Sequence, residues 1–359
     1  MDQFAQPYTQ EYVDQNIAPY SRGVSKAQLD ALVGTNKHVT DAVGDATLDF
    51  IDRHRSEPFF AWMSQYAVHA PIGPVQARAD LLAKYRAKPP GAAPAKPAFG
   101  AVLEGVDQSV ARLLDYLENT PDPRNPGHPL ADNTLVLFAS DNGGHIPAGA
   151  YNKPLKGMKS ELDEGGVRVP FIAWSPNPDL VAGDRVVSSP INSTDFYPTL
   201  ADLGGASLPN GVPFDGTSLR RVLVNGAALN RPRFQHFPGY INQGAGSDQR
   251  PQTSVRDRQW KLLYSYETQE WELYDLQADI GEQTNLAASR PDVVDRLGQE
   301  MIRWLDQTRP PLATLRAGQD PITITVDGTT YSEGDRRTYD GETLTIEPGQ
   351  EVPLVLQDQ

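Results

Sequence analysis

Cysteine is absent from all 359 residues. Disulfides, thiolate metal sites and a cysteine nucleophile on this chain are therefore excluded, although the absence does not choose a compartment. Long apolar runs are missing as well, and none approaches the roughly 20 residues that span a bilayer. The amino terminus, MDQFAQPYTQEYVDQ, is acidic and polar rather than a basic segment followed by an apolar one, so it does not read as a signal peptide. Basic residues are in short supply: 32 Lys and Arg stand against 46 Asp and Glu, for a net charge of −14. Such a balance argues against nucleic acid, which needs a basic face. An anionic substrate has to be drawn by a local positive site.

What remains is a globular composition, long enough for a large α/β domain and a smaller one. Residues 1–37 are polar and turn-rich and read as a peripheral segment. TDAVGDATLDFIDRH (40–54) puts Val43, Leu48 and Ile51 on one helical face after a Thr/Asp start. PFFAWMSQ (58–65) reads as a buried strand, a helical piece follows over 74–87, and the Pro/Ala-rich 88–98 reads as a loop. Val102, Val106, Val110, Leu113 and Leu117 recur at helical spacing over 100–118, with Glu104, Asp107, Arg112 and Asp115 on the other side. NTLVLFAS (133–140) and VPFIAWS (169–175) read as fully buried strands. Strands alternating with helices predict an α/β fold with a mainly parallel sheet sandwiched by helices. Further on, a short helix within 189–205 is closed by Gly-Gly. WKLLYSY and WELYDL (260–276) predict an antiparallel hairpin, whose Trp260 and Trp271 read as packing residues, and 291–306 predicts a helix. The tail over 322–356 predicts a few strands. The implied organisation is a peripheral segment (1–37), an α/β domain (38–205), an α+β subdomain (206–310) and a β-rich tail (311–359).

Three features carry candidate chemistry. Ser140-Asp141-Asn142-Gly143-Gly144 ends a strand at the carboxyl edge of the sheet, where α/β folds bind ligands. Asp141 and Asn142 offer hard oxygen donors of the kind Ca²⁺ or Mg²⁺ prefers, yet Asp-Asn-Gly is also ordinary turn chemistry. His69 follows the first strand and suits proton transfer or an anion contact; a hydrogen-bonded loop histidine fits equally. Lys159 lies in the loop before the third strand, where it suits charge neutralisation of an oxyanion, although a lone lysine is usually solvated. All three fall at one edge of the inferred sheet.

In this order PFFAWMSQYAVHAP, NTLVLFASDNGG, PLKGMKSELDEGGVRVPFIAW, STDFYPTLADLGG, FDGTSL, RDRQWKLLY and ELYDLQADIGEQTNLA resemble the landmarks of the sulfatases, arylsulfatase-like members of the alkaline-phosphatase superfamily. The resemblance spans roughly residues 38–290. It implies hydrolysis of a sulfate ester, with a divalent cation, usually Ca²⁺, and a formylglycine made from Cys or Ser. By position Asp141 and Asn142 match two metal ligands, His69 a histidine near the leaving oxygen, and Lys159 a lysine bridging sulfate and nucleophile. His236 falls where the family often has a histidine near the pocket entrance, and His145 follows the Gly-Gly; loop or packing roles compete for both. The implied partner is a sulfated small molecule or glycan.

The departures narrow this expectation. No Cys-x-Pro-x-Arg or Ser-x-Pro-x-Arg occurs, so the formylglycine is absent and two metal ligands are unaccounted for. Met158 stands where the family has a glycine, and Asp163 where it has an aromatic residue. A sulfatase polypeptide lacking its amino-terminal part, and so inactive alone, is one expectation; its parent would be periplasmic or secreted, and its exposed sheet would seek an amino-terminal partner segment or self-associate. A non-catalytic module binding sulfated glycans and a phosphoesterase of the same superfamily are the alternatives.

Overall fold

The computed structural model describes residues 6–89, 91, 96–183, 185–239 and 250–310, together with the backbone of short strands at 241–242, 248–249 and within 323–345. The chain divides into two compact units. The first comprises Met1–Phe138, His145–Tyr151 and Ile172–Arg185; the second comprises Ala139–Gly144, Asn152–Phe171 and Val186–Gln359.

The first unit begins with the segment expected to be peripheral. Helix α1 (Gln10–Tyr12) is capped by the Thr9 hydroxyl and runs on through helical turns to Tyr20; α2 (Lys26–Asp30) starts in a Ser25–Gln28 capping box. Tyr8, Val13, Ile17, Leu29 and Leu32 bury one another there, so the polar texture hides an apolar seam of its own. The Tyr8 hydroxyl donates to Asp41 at 2.5 Å, and the Tyr12 hydroxyl to Asp45 at 2.8 Å. Both carboxylates lie at the buried start of α3 (Val39–His54), on which the segment docks.

Two arginines complete this network. Arg78 binds Asp41, Asp80 and Gln108, and Arg112 binds Asp45 at 2.6 Å and Asn16 at 3.1 Å. Arg78 precedes α4 (Ala79–Ala87); Arg112 and Gln108 lie on α5 (Pro97–Asn119), which Pro97 opens at its first turn. Arg112, expected on the solvent side of α5, is therefore buried, because the carboxylate of Asp45 satisfies it there. Ile51 and Leu117 form a core with Leu130 and Ala131, against which Phe59, Ala61, Leu113, Val136 and Trp174 pack. Strands β1 (Val136–Ala139) and β2 (Phe171–Trp174) pair as a two-stranded sheet. They are not fully buried as expected: Phe138 and Ile172 are exposed. Residues 58–65, expected as a strand, alternate in burial but join no ladder among the described residues. A buried strand needs hydrogen-bonded neighbours, and here alternate side chains point outward instead.

In the second unit α6 (Glu164–Val167) precedes β2, and α7 (Phe196–Leu203) ends at Gly204-Gly205. Helix α8 (Arg220–Asn225) closes on left-handed Gly226. Strands β3 (Arg233–Phe237), β6 (Gln252–Asp257), β7 (Trp260–Ser265) and β8 (Glu270–Asp275) form an antiparallel sheet in the order β3-β6-β7-β8; β4 (Ile241–Asn242) and β5 (Asp248–Gln249) make a minor pair. The expected antiparallel hairpin is β7–β8, with Trp260 opposite Asp275. Its face is covered by α9 (Pro291–Thr308), which inserts Val293, Leu297, Met301 and Leu305 against Val255, Leu262, Tyr264 and Leu273. Each such side chain contributes about 1.5–3 kcal/mol through burial. In the tail, β9 (Thr323–Val326) pairs with β10 (Thr329–Ser332), and β11 (Arg336–Tyr339) with β12 (Glu342–Thr345), all antiparallel. The expected strand over 352–356 lies outside the described residues. The α/β class stands, and the strand pairs β3-β6-β7-β8, β9-β10 and β11-β12 within it are antiparallel.

Candidate functional site

The turn after β1 is fixed by its own side chains. Ser140 Oγ donates to the Asn142 carbonyl at 2.9 Å, the Asn142 N–H to Asp141 Oδ1 at 2.9 Å, and Asn142 Nδ2 to the Gly143 carbonyl at 3.0 Å. Asp141 Oδ2 and Asn142 Oδ1 are the oxygens these bonds leave available. Asp141 is exposed and Asn142 half-buried.

A second loop, 152–166, clamps this turn from behind. The Gly143 N–H donates to the Gly166 carbonyl at 2.8 Å, the Lys159 N–H to the Gly144 carbonyl at 3.2 Å, and Asn152 Nδ2 to the same carbonyl at 2.8 Å. The backbones approach too closely for any side chain. A Cβ on Gly143 would collide with the Gly165 carbonyl; one on Gly165 would meet the Lys156 and Gly157 carbonyls, and one on Gly166 the Glu161 carbonyl. Gly157 at φ +79 turns the loop so that Lys159 is delivered beside Gly144.

Beneath the loop lies a buried charge cluster that the sequence did not reveal as one. Glu164 is joined to Lys261 at 3.1 Å and to Arg256 at 3.2 Å, with Arg168 at 3.3 Å. Lys261 also pairs with Glu282 at 2.8 Å, and Glu282 accepts the Glu164 N–H at 2.7 Å. Burial works to raise the Glu164 carboxyl, but Lys261, Arg256 and Arg168 outweigh it and hold that carboxyl below its ordinary value. Burial raises the Glu282 carboxyl, and Lys261 only partly opposes it. A charged residue beside Gly-Gly, and a lysine inside an otherwise apolar strand, were the available signals. Only the fold brings residues 164, 261 and 282 together.

Of the predicted residues, the structure unites Asp141, Asn142 and Lys159 on one backbone framework in the second unit. His69 belongs to the first unit, exposed, its Nδ1 2.6 Å from the Ala70 carbonyl oxygen and its N–H donating to the Tyr66 carbonyl. His145, half-buried in that unit, leads into a short helical turn at Ile146–Ala148. His236 lies on β3, its Nδ1 2.7 Å from the Thr253 hydroxyl and its ring edge-on to Tyr266 and Trp304. Such surroundings describe a packed histidine. For a hard cation the chemistry of Asp141 and Asn142 fits, but Ca²⁺ takes about six to eight oxygens. Among the described residues no group of three or more His, Asp or Glu converges to supply the remainder.

Comparison with known proteins places this framework. The sulfatase family model matches residues 1–206, and the model for the carboxyl-terminal region of N-sulphoglucosamine sulphohydrolase matches residues 159–309. The chain belongs to the sulfatase family. A sulfatase of Formosa agariphila is 36% identical over 329 residues, covering 86% of this chain and 57% of its own length. The uncharacterized sulfatase YdeN of Escherichia coli K12 is 26% identical, covering 77% of this chain and 52% of its own length. The chain thus spans about half the length of these curated relatives. Among solved structures, Ps i-CgsB in complex with neocarrahexaose superposes with a TM-score of 0.62 at 27% identity, over 84% of this chain and 64% of that one.

Proposed function

We propose that these residues form part of a sulfatase that cleaves sulfate esters, with a sulfated glycan or smaller sulfated molecule as substrate. The carrying observation is the backbone clamp that sets Lys159 beside the Asp141–Asn142 turn. Asp141 and Asn142 would hold one side of a divalent cation, Ca²⁺ by family habit; bound there, it would offset negative charge on the sulfate oxygens. Lys159 would add a second positive charge at the same oxyanion, and His69 would supply a proton to the departing alcohol. His145 and His236 are assigned at most to substrate contact. β1, β2 and the 58–65 segment would belong to a larger parallel sheet of the alkaline-phosphatase type. With no nucleophile motif among the 359 residues, turnover by this polypeptide alone is not expected. A glycan substrate accords with the neocarrahexaose in the solved relative.

Calorimetric titration of the purified chain with Ca²⁺ tests the assignment. Weak binding, on the order of millimolar, is expected from so few ligands. Asp141→Ala should abolish it, while Lys159→Ala should spare the cation but weaken retention of an aryl sulfate. Ca²⁺ binding that survives both Asp141→Ala and Asn142→Ala would remove these residues from the metal site.

A further inference from the structure

His236 lies on β3, directly across from Thr253 on β6. That register brings its Nδ1 to 2.7 Å from the Thr253 hydroxyl. The same hydroxyl stands 2.7 Å from the phenol oxygen of Tyr266, just past the end of β7. The Tyr266 N–H donates to the Pro251 carbonyl at 3.0 Å, which ties that residue to the start of β6. Thr253 and Tyr266 are 0% and 1% exposed, so bulk water reaches neither. Tyr266 and Trp304 stand edge-on to the imidazole, at 6.0 and 6.4 Å between ring centres, and His236 is left half-buried. Burial pushes the Tyr266 hydroxyl up to about 12, so it keeps its proton at neutral pH.

Counting hydrogens fixes the direction of the two bonds. The phenol has one hydrogen, the threonine hydroxyl one, and a neutral imidazole one that can sit on either nitrogen. Among the described residues neither hydroxyl has a further hydrogen-bond partner. If Tyr266 donates to Thr253 and Thr253 to Nδ1, both buried hydroxyl hydrogens are used. If instead Nδ1–H donates to Thr253 and Thr253 to Tyr266, the phenol hydrogen has no acceptor. If Tyr266 and Nδ1–H both donate to Thr253, the threonine hydrogen is the one stranded. Stranding a buried donor shifts such an equilibrium by about tenfold or more.

We propose that Thr253, backed by Tyr266, is a positioning residue that holds His236 as the neutral tautomer with its hydrogen on Nε2. Nδ1 is committed as an acceptor inside the second unit, and Nε2 is a donor. His236 is thereby matched to an acceptor oxygen of a sulfated substrate and does not take a proton from a hydroxyl at Nε2. The match to substrate rests on the reading of His236 as a substrate contact; the tautomer does not.

Ring ¹⁵N spectra of the chain, labelled at its six histidines, test this at neutral pH. His236→Gln identifies the His236 signals by their loss. Nδ1 is expected as the unprotonated nitrogen and Nε2 as the protonated one, with the opposite tautomer below about one part in ten. Thr253→Val removes the donor to Nδ1 at nearly constant volume and should move both nitrogens toward the averaged shifts of a tautomer mixture. Thr253→Ser should keep the parent spectrum. Tyr266→Phe should keep it too, because Nδ1 remains the acceptor for Thr253. Should Thr253→Val fail to fold, the parent spectrum decides the tautomer. A protonated Nδ1 in the parent would overturn the proposal, as would a folded Thr253→Val chain with an unaltered spectrum. Adding nitrophenyl sulfate with Ca²⁺ should shift Nε2 more than Nδ1. No shift with the tautomer intact would remove the substrate contact and leave the role of Thr253 standing.

Discussion

Lys261→Met removes the cation from the buried cluster under the 152–166 loop. Lys261 is 1% exposed, and its ammonium serves Glu164 and Glu282 together. Breaking a buried pair by deleting one partner costs about 3–5 kcal/mol, because the survivor stays charged and dry. The two carboxylates do not share this loss equally. Glu164 keeps Arg256 and Arg168, so its ionisation remains favoured. Glu282 loses its cation, and its carboxyl, already raised by burial, must rise further. A group with a raised native value contributes stability below the ordinary carboxylate range and loses it as pH climbs through the native value. The variant should therefore be weakened most at neutral pH and should recover part of its stability on acidification, until Glu164, whose native value is lowered, begins to protonate and withdraws its own contribution. Urea denaturation followed by tryptophan emission at pH 7 and pH 5 measures this, with a midpoint lowered by about 1 M or more at pH 7. Adding Glu282→Gln keeps an acceptor for the Glu164 N–H while removing the orphaned charge, and should restore part of the loss. A penalty below about 1 kcal/mol, or one that is the same at both pH values, would refute the reasoning.

Other substitutions probe the remaining framework. Gly143→Ala forces a methyl group into the Gly165 carbonyl, so it should cost about 1–3 kcal/mol or more in denaturation and uncouple Lys159 from the turn, read as lost Ca²⁺-dependent retention of an aryl sulfate. Arg78→Met leaves Asp41 and Asp80 facing each other without a cation and should destabilise the first unit by about 3–5 kcal/mol, measured by thermal unfolding. Tyr8→Phe deletes the hydroxyl that donates to Asp41 and accepts the His38 N–H, for a loss of about 1–3 kcal/mol in the same assay. Leu297→Ala empties a fully buried position between α9 and the sheet and should cost about 2–5 kcal/mol.

Local pattern carried much of the fold. The apolar repeat of α5, the β7–β8 hairpin and the Gly204-Gly205 stop of α7 are short-range physics, legible from spacing and turn chemistry. Arg112 was misplaced on the solvent side because its partner, Asp45, is 67 residues distant and periodicity cannot see an ion pair. The polar sequence of 6–37 hid Tyr8, Val13 and Ile17, whose burial depends on docking at Asp41 and Asp45. Residues 58–65 have the composition of a strand, but composition does not supply the neighbour that would make them one. At the candidate site, the ordered landmarks point to Asp141, Asn142 and Lys159, whereas the ion pairs that join Glu164, Lys261 and Glu282 beneath the 152–166 loop are long-range and invisible to spacing.

The contact between the turn at Gly143 and the loop at Gly165-Gly166 bears on how this region can change over time. Each of the three glycines meets a backbone oxygen, and a carbonyl cannot be trimmed by a compensating mutation as a side chain can. No single substitution at one position is relieved by a single substitution at another. Stepwise drift is blocked from both sides, and a lineage that gave up one of these glycines would have had to rebuild the path of the main chain around it.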